Sequence, residues 1–277
     1  MKRVLVTGSS GFIGSHLVER LRSMGVDVFE VDLKTGSDIN DVKTLPKHHF
    51  DVVFHLGAYV SASKSVEEPI KCYKTNVGGS LNLIEKYYDS RFVFASTSAV
   101  YGEALMLRDG YSENDYDCID MLRSPYAKSK LTVEEIIKDS LDSYGILRFF
   151  NVYGEGQNPE YGAVIQAFTD ESKKDDPSYT IYGDGSKTRD FIHVDDVVDA
   201  LITTALSDKN FVSNVGTGVE TSVSDLQKMI SNGHGEVSFK EDRAGDPKKS
   251  YMYIPSFLEK EEGWIANIEL EEGLDDF

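Results

Sequence analysis

The feature that most restricts this chain is its opening. A β-prone run from Arg3 to Thr7 passes directly into Gly8-Ser9-Ser10-Gly11-Phe12-Ile13-Gly14, and a helical pattern runs on from Phe12 to Met24. Glycines there allow a tight turn, close approach of a pyrophosphate and packing of helix on sheet, while the helix N-terminus attracts negative charge. The spacing is G-x-x-G-x-x-G rather than the commoner G-x-G-x-x-G, so the glycines alone are a weak signal and their context carries the reading. A second β-prone run, Val26 to Val31, ends at Asp32, where a carboxylate accepts hydrogen bonds from adenosine ribose hydroxyls and repels a 2'-phosphate. The pattern implies a dinucleotide site that takes NAD rather than NADP, with Lys34 keeping NADP as an alternative.

The same alternation continues down the chain. Val52 to His55 precedes a helical stretch from Glu67 to Tyr88, and the strands Arg91 to Ser96 and Gly145 to Phe150 flank another from Pro125 to Ser143. This predicts an α/β fold: a Rossmann-type doubly wound parallel sheet with helices on both faces. Beyond Asn151 the pattern loosens into turns such as Gly154-Glu155-Gly156 and Gly183-Asp184-Gly185, with helices near Asp195 to Leu206 and Val223 to Ile230. We therefore expect an NAD-binding Rossmann domain over 1–150 and a small C-terminal α/β substrate-binding cap over 151–277, interleaved across a soft boundary. The cap belongs over the sheet's carboxyl edge, where ligands bind in open α/β folds. Asp38-Ile39-Asn40-Asp41 reads as the start of a helix so soon after Asp32 that a third strand is expected to be missing or vestigial.

Composition removes several partners. With 47 Asp+Glu against 29 Lys+Arg among 277 residues, the net charge is -18, the opposite of what phosphate-rich nucleic acid requires. Apolar runs are short, far below the roughly 18 residues a membrane span needs. The basic-then-apolar start is interrupted at Thr7-Gly8, too early for a signal peptide, so a cytoplasmic protein without membrane contact is expected. Cys72 and Cys118 have no CxxC spacing and read as reduced thiols without a chemical role. No metal is expected: His48-His49 are adjacent and point apart, and His55 reads as a packed strand residue. Asp195-Asp196 read as a helix N-cap and first turn rather than as a carboxylate pair.

Chemistry enters at Ser124-Pro125-Tyr126-Ala127-Lys128-Ser129-Lys130. On a helix Tyr126 and Lys130 share a face, and Ser96-Thr97-Ser98 ends a strand with hydroxyls at the same edge of the sheet. A phenol titrates near pH 10, and a neighbouring ammonium with a cationic nicotinamide favours the phenolate as a general base.

With these residues in view, the chain resembles the nucleotide-sugar epimerases and dehydratases of the extended short-chain dehydrogenase/reductase family, typified by UDP-glucose 4-epimerase. The blocks that carry the resemblance span nearly the whole chain. They are Thr7 to Gly14, His55-Leu56-Gly57-Ala58, Asn76 in Thr-Asn-Val-Gly-Gly, Ser96 to Gly102, Tyr126 to Lys130, Arg148 to Gly154 and Gly183 to Asp196. The resemblance implies a tightly held NAD that is reduced and reoxidised within one turnover, with C4 of a UDP-hexose inverted through a 4-keto sugar. Thr97, Tyr126 and Lys130 then become catalytic. Gly8, Gly11, Phe12, Ile13, Gly14, Asp32, Asp38, Ile39, Leu56, Ala58 and Asn76 join Tyr126 and Lys130 around the cofactor. Asn151, Arg189 and Arg243 join Thr97 and Tyr126 around a nucleotide-sugar substrate, the arginines on its diphosphate. A homodimer is expected, with Glu67 to Tyr88 and Pro125 to Ser143 as candidate interface helices.

Departures from the family's pattern keep rivals open. Dehydratases usually carry Asp-Glu after the Thr, and here Ser98-Ala99 stand there. The shortened segment after Asp32 resembles the NAD(P)H-dependent 4-keto-sugar-nucleotide reductases. A cofactor-binding regulator is the non-enzymatic alternative, against which the intact Thr97, Tyr126 and Lys130 argue.

Overall fold

The computed structural model describes residues 1–102, 110–115, 122, 124–157, 164–242 and 248–277. Its main sheet is six parallel strands in the order β10-β5-β4-β3-β1-β2. These are β1 (Arg3–Thr7), β2 (Asp27–Val31), β3 (Val52–His55), β4 (Arg91–Thr97), β5 (Tyr144–Phe149) and β10 (Phe211–Val215). Strands buried on both faces need apolar residues at successive positions, and Val4, Leu5 and Val6 of β1 are all inaccessible to solvent. Alternation assigns their faces. Val4 and Val6 join Leu17, Leu21, Val197 and Leu201 under α1 (Phe12–Ser23) and α7 (Val194–Leu206). Leu5 joins Leu83, Val133 and Ile137 under α4 (Gly79–Lys86) and α5 (Pro125–Ser140). The sheet thus takes β10 and the covering helix α7 from beyond residue 150.

Two expectations are corrected. Asp38-Ile39-Asn40-Asp41 begins no helix: Asp38 Oδ1 accepts from Asn40 N at 2.8 Å, and Thr44 Oγ1 accepts from Asp38 N at 2.9 Å. Local side-chain bonds of this sort compete with helix formation. Ile39, Leu45 and Phe50 plug into the core instead, and no strand lies between β2 and β3, which flanks β1 on its other side. Secondly, the stretch from Glu67 to Tyr88 is not one helix. It breaks into α2 (Ala62–Glu67), α3 (Pro69–Tyr73), a π-helical turn over Lys74–Gly78 and α4, because Pro69 opens a new helix.

Outside the main sheet, elements after β5 include β6 (Asn151–Tyr153), α6 (Val164–Ser172), β7 (Ser178–Tyr182), β8 (Thr188–Arg189), β9 (Phe191–His193), β11 (Thr221–Ser222), α8 (Val223–Ser231), β12 (Glu236–Lys240) and β13 (Lys249–Ser250). They form small sheets, β11-β8-β13, β12-β7 and β6-β9. Their own core includes Tyr153, Ile165, Phe168, Ile181 and Leu226. The first helix turn of α7 holds Asp195 and Asp196, but its N-cap is His193, whose Nδ1 accepts from Asp195 N at 3.3 Å. Asp196 instead receives Asn267 N and Ile268 N, both at 3.0 Å. Among the described residues no helix is long and apolar enough to cross a membrane.

Candidate functional site

The glycine loop is folded too tightly for side chains. Gly8 has φ +69, and a Cβ there would lie 2.7 Å from Gly57 N; one on Gly14 would lie 2.1 Å from Gly8 O. Gly11 caps α1 with no side-chain hydrogen bond, and no acidic residue occupies the first turn. The helix therefore presents N–H groups and positive potential to an incoming anion. Ser9 Oγ is buried with no partner among the described residues, an orphaned donor in the same loop. Phe12 and Ile13, both half-buried, open the helix.

Asp32 ends β2 beside this loop. Its carboxylate accepts from Ser10 N at 3.2 Å and from Lys34 N at 2.9 Å, while Lys34 Nζ donates to Ser10 O at 3.3 Å. Leu56 and Ala58, half-buried, continue from β3 over Gly57. Asp38 is half-buried and Ile39 is packed beneath α4, where a Cβ on Gly79 would meet Ile39 Cδ1 at 2.6 Å. These residues fit a dinucleotide along the loop: backbone donors for its phosphates and an acceptor at the strand end for its ribose.

The trio expected to be catalytic comes from two elements. Thr97 is the last residue of β4; Tyr126 and Lys130 lie one turn apart on α5, which Ser124 caps by accepting from Ala127 N at 3.2 Å. The Thr97 side chain faces the Tyr126 phenol, and Thr97 Oγ1 accepts from Ala99 N at 3.2 Å. Burial pushes that phenol up to about 12, Thr97 opposing the upward shift only in part. Lys130 Nζ donates to Ala95 O at 2.7 Å and lies 4.7 Å from the Phe94 ring centroid. Burial lowers its ammonium to about 8, with Cys72 and Glu134 working the other way. In the protein without cofactor the phenol is thus raised and the ammonium lowered. The Lys130 ammonium is bonded to the strand and is itself desolvated, and desolvation dominates both groups.

Asn76 sits in the π-helical turn, a device often found at functional sites. Its Oδ1 accepts from Tyr59 N at 2.7 Å and its Nδ2 donates to Ser129 Oγ at 2.8 Å, tying the β3 loop to α5. Behind it Ser80 donates to the Asn76 carbonyl, so His55 Nε2 donates to Ser80 Oγ and Nδ1 accepts from Thr7, both at 2.8 Å. Burial, then the Lys130 charge, lower His55 to about 3 and keep it neutral.

Sequence reasoning missed several of these supports. Ser65 Oγ accepts from Tyr126 N at 3.1 Å. Cys72, read as having no chemical role, is a free thiol 3.8 Å from Ser129 Oγ and 3.6 Å from Asn76 Nδ2, within the framework of the site. Cys118 and Arg243 lie outside the described residues. Asn151 is tied to the strand after Arg189, donating from N at 2.9 Å and from Nδ2 at 3.2 Å to Asp190 O. Arg189 is half-buried and donates to Thr188 O at 2.6 Å. No signal in spacing reveals Ser65 or Ser129, since their partners arrive from other parts of the chain.

A parallel sheet, a glycine turn at a helix N-terminus and a tyrosine–lysine pair beside a strand-end threonine define a dinucleotide-dependent enzyme of sugar or alcohol chemistry. The pattern of the NAD dependent epimerase/dehydratase family matches residues 4–216, and the chain belongs to that family, with NAD as its cofactor. It is similar to a putative UDP-glucose 4-epimerase of Methanocaldococcus jannaschii, 39% identical over 98% of this chain and 95% of that protein. UDP-glucuronic acid decarboxylase 1 of Arabidopsis thaliana is 31% identical over 98% of this chain and 68% of its own length. Among solved structures, UDP-glucose 4-epimerase of Thermotoga maritima with UDP-glucose superposes with a TM-score of 0.88 at 32% identity, covering 99% of this chain and 96% of that one.

Proposed function

We propose that the protein inverts C4 of a UDP-hexose of the UDP-glucose/UDP-galactose type through a transient 4-keto sugar. The observation that carries this reading is what stands around Thr97. Its side chain faces the Tyr126 phenol with Lys130 one turn on, and Ser98 and Ala99 follow it where a dehydratase needs carboxylates. Epimerisation needs one acid–base and one hydride acceptor, whereas dehydration needs a further acid for the leaving hydroxyl and a further base at the neighbouring carbon.

NAD, when bound, would supply a hydride acceptor and donor for C4 and a cationic ring that would favour the phenolate. Tyr126 takes the 4-hydroxyl proton as C4 becomes a carbonyl and gives it back on reduction. Thr97 hydrogen-bonds the reacting oxygen, and Lys130 holds the nicotinamide ribose. Gly8, Gly11, Phe12, Ile13, Gly14, Asp32, Asp38, Ile39, Leu56, Ala58 and Asn76 hold the cofactor, and Asn151, Arg189 and Arg243 hold the nucleotide sugar.

Proton NMR of the protein with UDP-glucose, UDP-galactose and their N-acetyl forms, with NAD and no reductant, is expected to show one C4 epimer converting into the other. Release of a pentose nucleotide from UDP-glucuronic acid would assign decarboxylation instead, the activity named for the Arabidopsis relative. Consumption of NADPH with a 4-keto deoxy sugar nucleotide would assign reduction, which the absent strand between β2 and β3 favours as the second reading.

We further read the enzyme as a cytoplasmic homodimer. Helices α2 to α4 leave Val66 62%, Ile70 70% and Leu81 45% exposed, and a groove of about 790 Å³ lined by Ile70, Lys71 and Lys74 opens among them. Exposed apolar stripes of this kind mark interaction surfaces. Light scattering is expected to give twice the 30.9 kDa chain mass, with Ile70→Glu shifting it to monomer; a wild-type monomer would refute the dimer.

A further inference from the structure

Glu134 is inaccessible to solvent one turn beyond Lys130 on α5, and no step above uses it. Its carboxylate reaches two strands of the main sheet. It accepts from the Ser96 hydroxyl on β4, and Arg148 on β5 donates to it from Nε at 3.0 Å and from Nη2 at 2.6 Å. The same guanidinium donates to Glu113 O at 2.9 Å and to the Tyr101 hydroxyl at 3.3 Å. Tyr101 in turn donates to Asn214 on β10. One buried polar network therefore clamps α5 to β4, β5 and β10 at the level of the lysine.

A buried ion pair gives little net stability compared with apolar side chains of similar volume, because both charges lose their hydration. Its place in the site supplies a better reason for this one. Lys130 Nζ bonds the carbonyl of Ala95, the residue before the Ser96 that Glu134 holds. The groups acting on Lys130 are the Cys72 thiol from α3, Glu134 from its own helix, neutral His55 from β3 and the Phe94 ring from β4. Arg148 on β5 is spent on Glu134. After the Cys72 thiol, Glu134 is the group whose charge opposes the desolvation of this ammonium.

We infer that Glu134 is a positioning residue for the reaction: held by Ser96 and Arg148, it fixes the turn of α5 that carries Lys130 against β4 and supplies the negative charge that keeps the Lys130 ammonium in place. The inference rests on the role given to Lys130 above, so its test needs a readout independent of epimerase activity. The titration of Lys130 is followed by its ¹³Cε resonance in the NAD-loaded protein, the signal being assigned by its loss in Lys130→Met. In Glu134→Gln the Lys130 midpoint is expected to fall by about one pH unit or more, the size an opposite charge at close range produces. With a turned-over substrate, the alkaline limb of kcat moves down by the same amount while KM changes little.

Glu134→Gln leaves Arg148 buried without its counter-charge, which threatens folding. The double variant Glu134→Gln/Arg148→Gln removes both charges and is expected to keep the downward sign. A Lys130 midpoint unchanged in either folded variant, with only a lower Tm, overturns the inference and leaves Glu134 a structural residue. If the wild type turns over none of the UDP-hexoses, the epimerase reading fails while the titration still decides this one.

Discussion

Tyr126→Phe is expected to retain NAD and lose about 10³-fold of kcat, within the range a positioned general acid–base contributes. The change deletes the hydroxyl that faces Thr97 at the end of β4 and leaves the ring, the glycine loop and Asp32 untouched. Stability should fall by only about 1 kcal/mol, the usual net value of one hydrogen bond. Burial raises the phenol to about 12 in the protein alone, so little phenolate exists near neutrality and turnover rises with pH. Lys130, lowered by burial to about 8, loses its proton on the alkaline side, and turnover falls there. Tyr126→Phe should remove the rising limb together with the activity. Steady-state kinetics on protein with its NAD content checked by absorbance tests both halves, and substantial turnover in the variant would take Tyr126 out of the acid–base role.

Gly14→Ala is expected to abolish NAD retention and destabilise the fold by about 1–3 kcal/mol, the cost of forcing extra volume into a packed interior. A Cβ at that position would lie 2.1 Å from Gly8 O and 3.0 Å from Ser9 Cα. Those atoms belong to backbone, which cannot rotate away, so α1 must move off the loop and its N–H groups with it. Gly78→Ala is the matched control: its Cβ would meet only Asn40 Oδ1 at 3.9 Å, an ordinary contact. Thermal melts and equilibrium dialysis with NAD should separate the two variants cleanly. Equal behaviour would mean that the loop adapts and that Gly14 does not shape the cofactor site.

Much of the site was legible because its parts are local. The β1–loop–α1 unit is contiguous, and helical periodicity alone puts Tyr126 and Lys130 on one face. The strands read well for a related reason: residues buried on both faces of a parallel sheet leave apolar runs such as Val52-Val53-Phe54. Where local cues conflict, sequence reasoning lost its hold. Asp38-Ile39-Asn40-Asp41 offers helix-capping side chains, and those side chains bonded to the turn instead. The stretch from Glu67 to Tyr88 has helical periodicity, and Pro69 with the π-helical turn divides it.

By itself the sequence determined the strand–glycine–helix opening, the acidic strand end at Asp32, the tyrosine–lysine spacing and the class of fold that joins them, because each depends on neighbours a few positions away. Only the tertiary structure decided that β3 flanks β1, that Asn76 joins the β3 loop to α5, and that Glu134, Arg148 and Ser96 close behind Lys130. It also decided the protonation of the site. Desolvation is set by what packs over a group from elsewhere in the chain, and that is why a phenol and an ammonium one helical turn apart are driven in opposite directions.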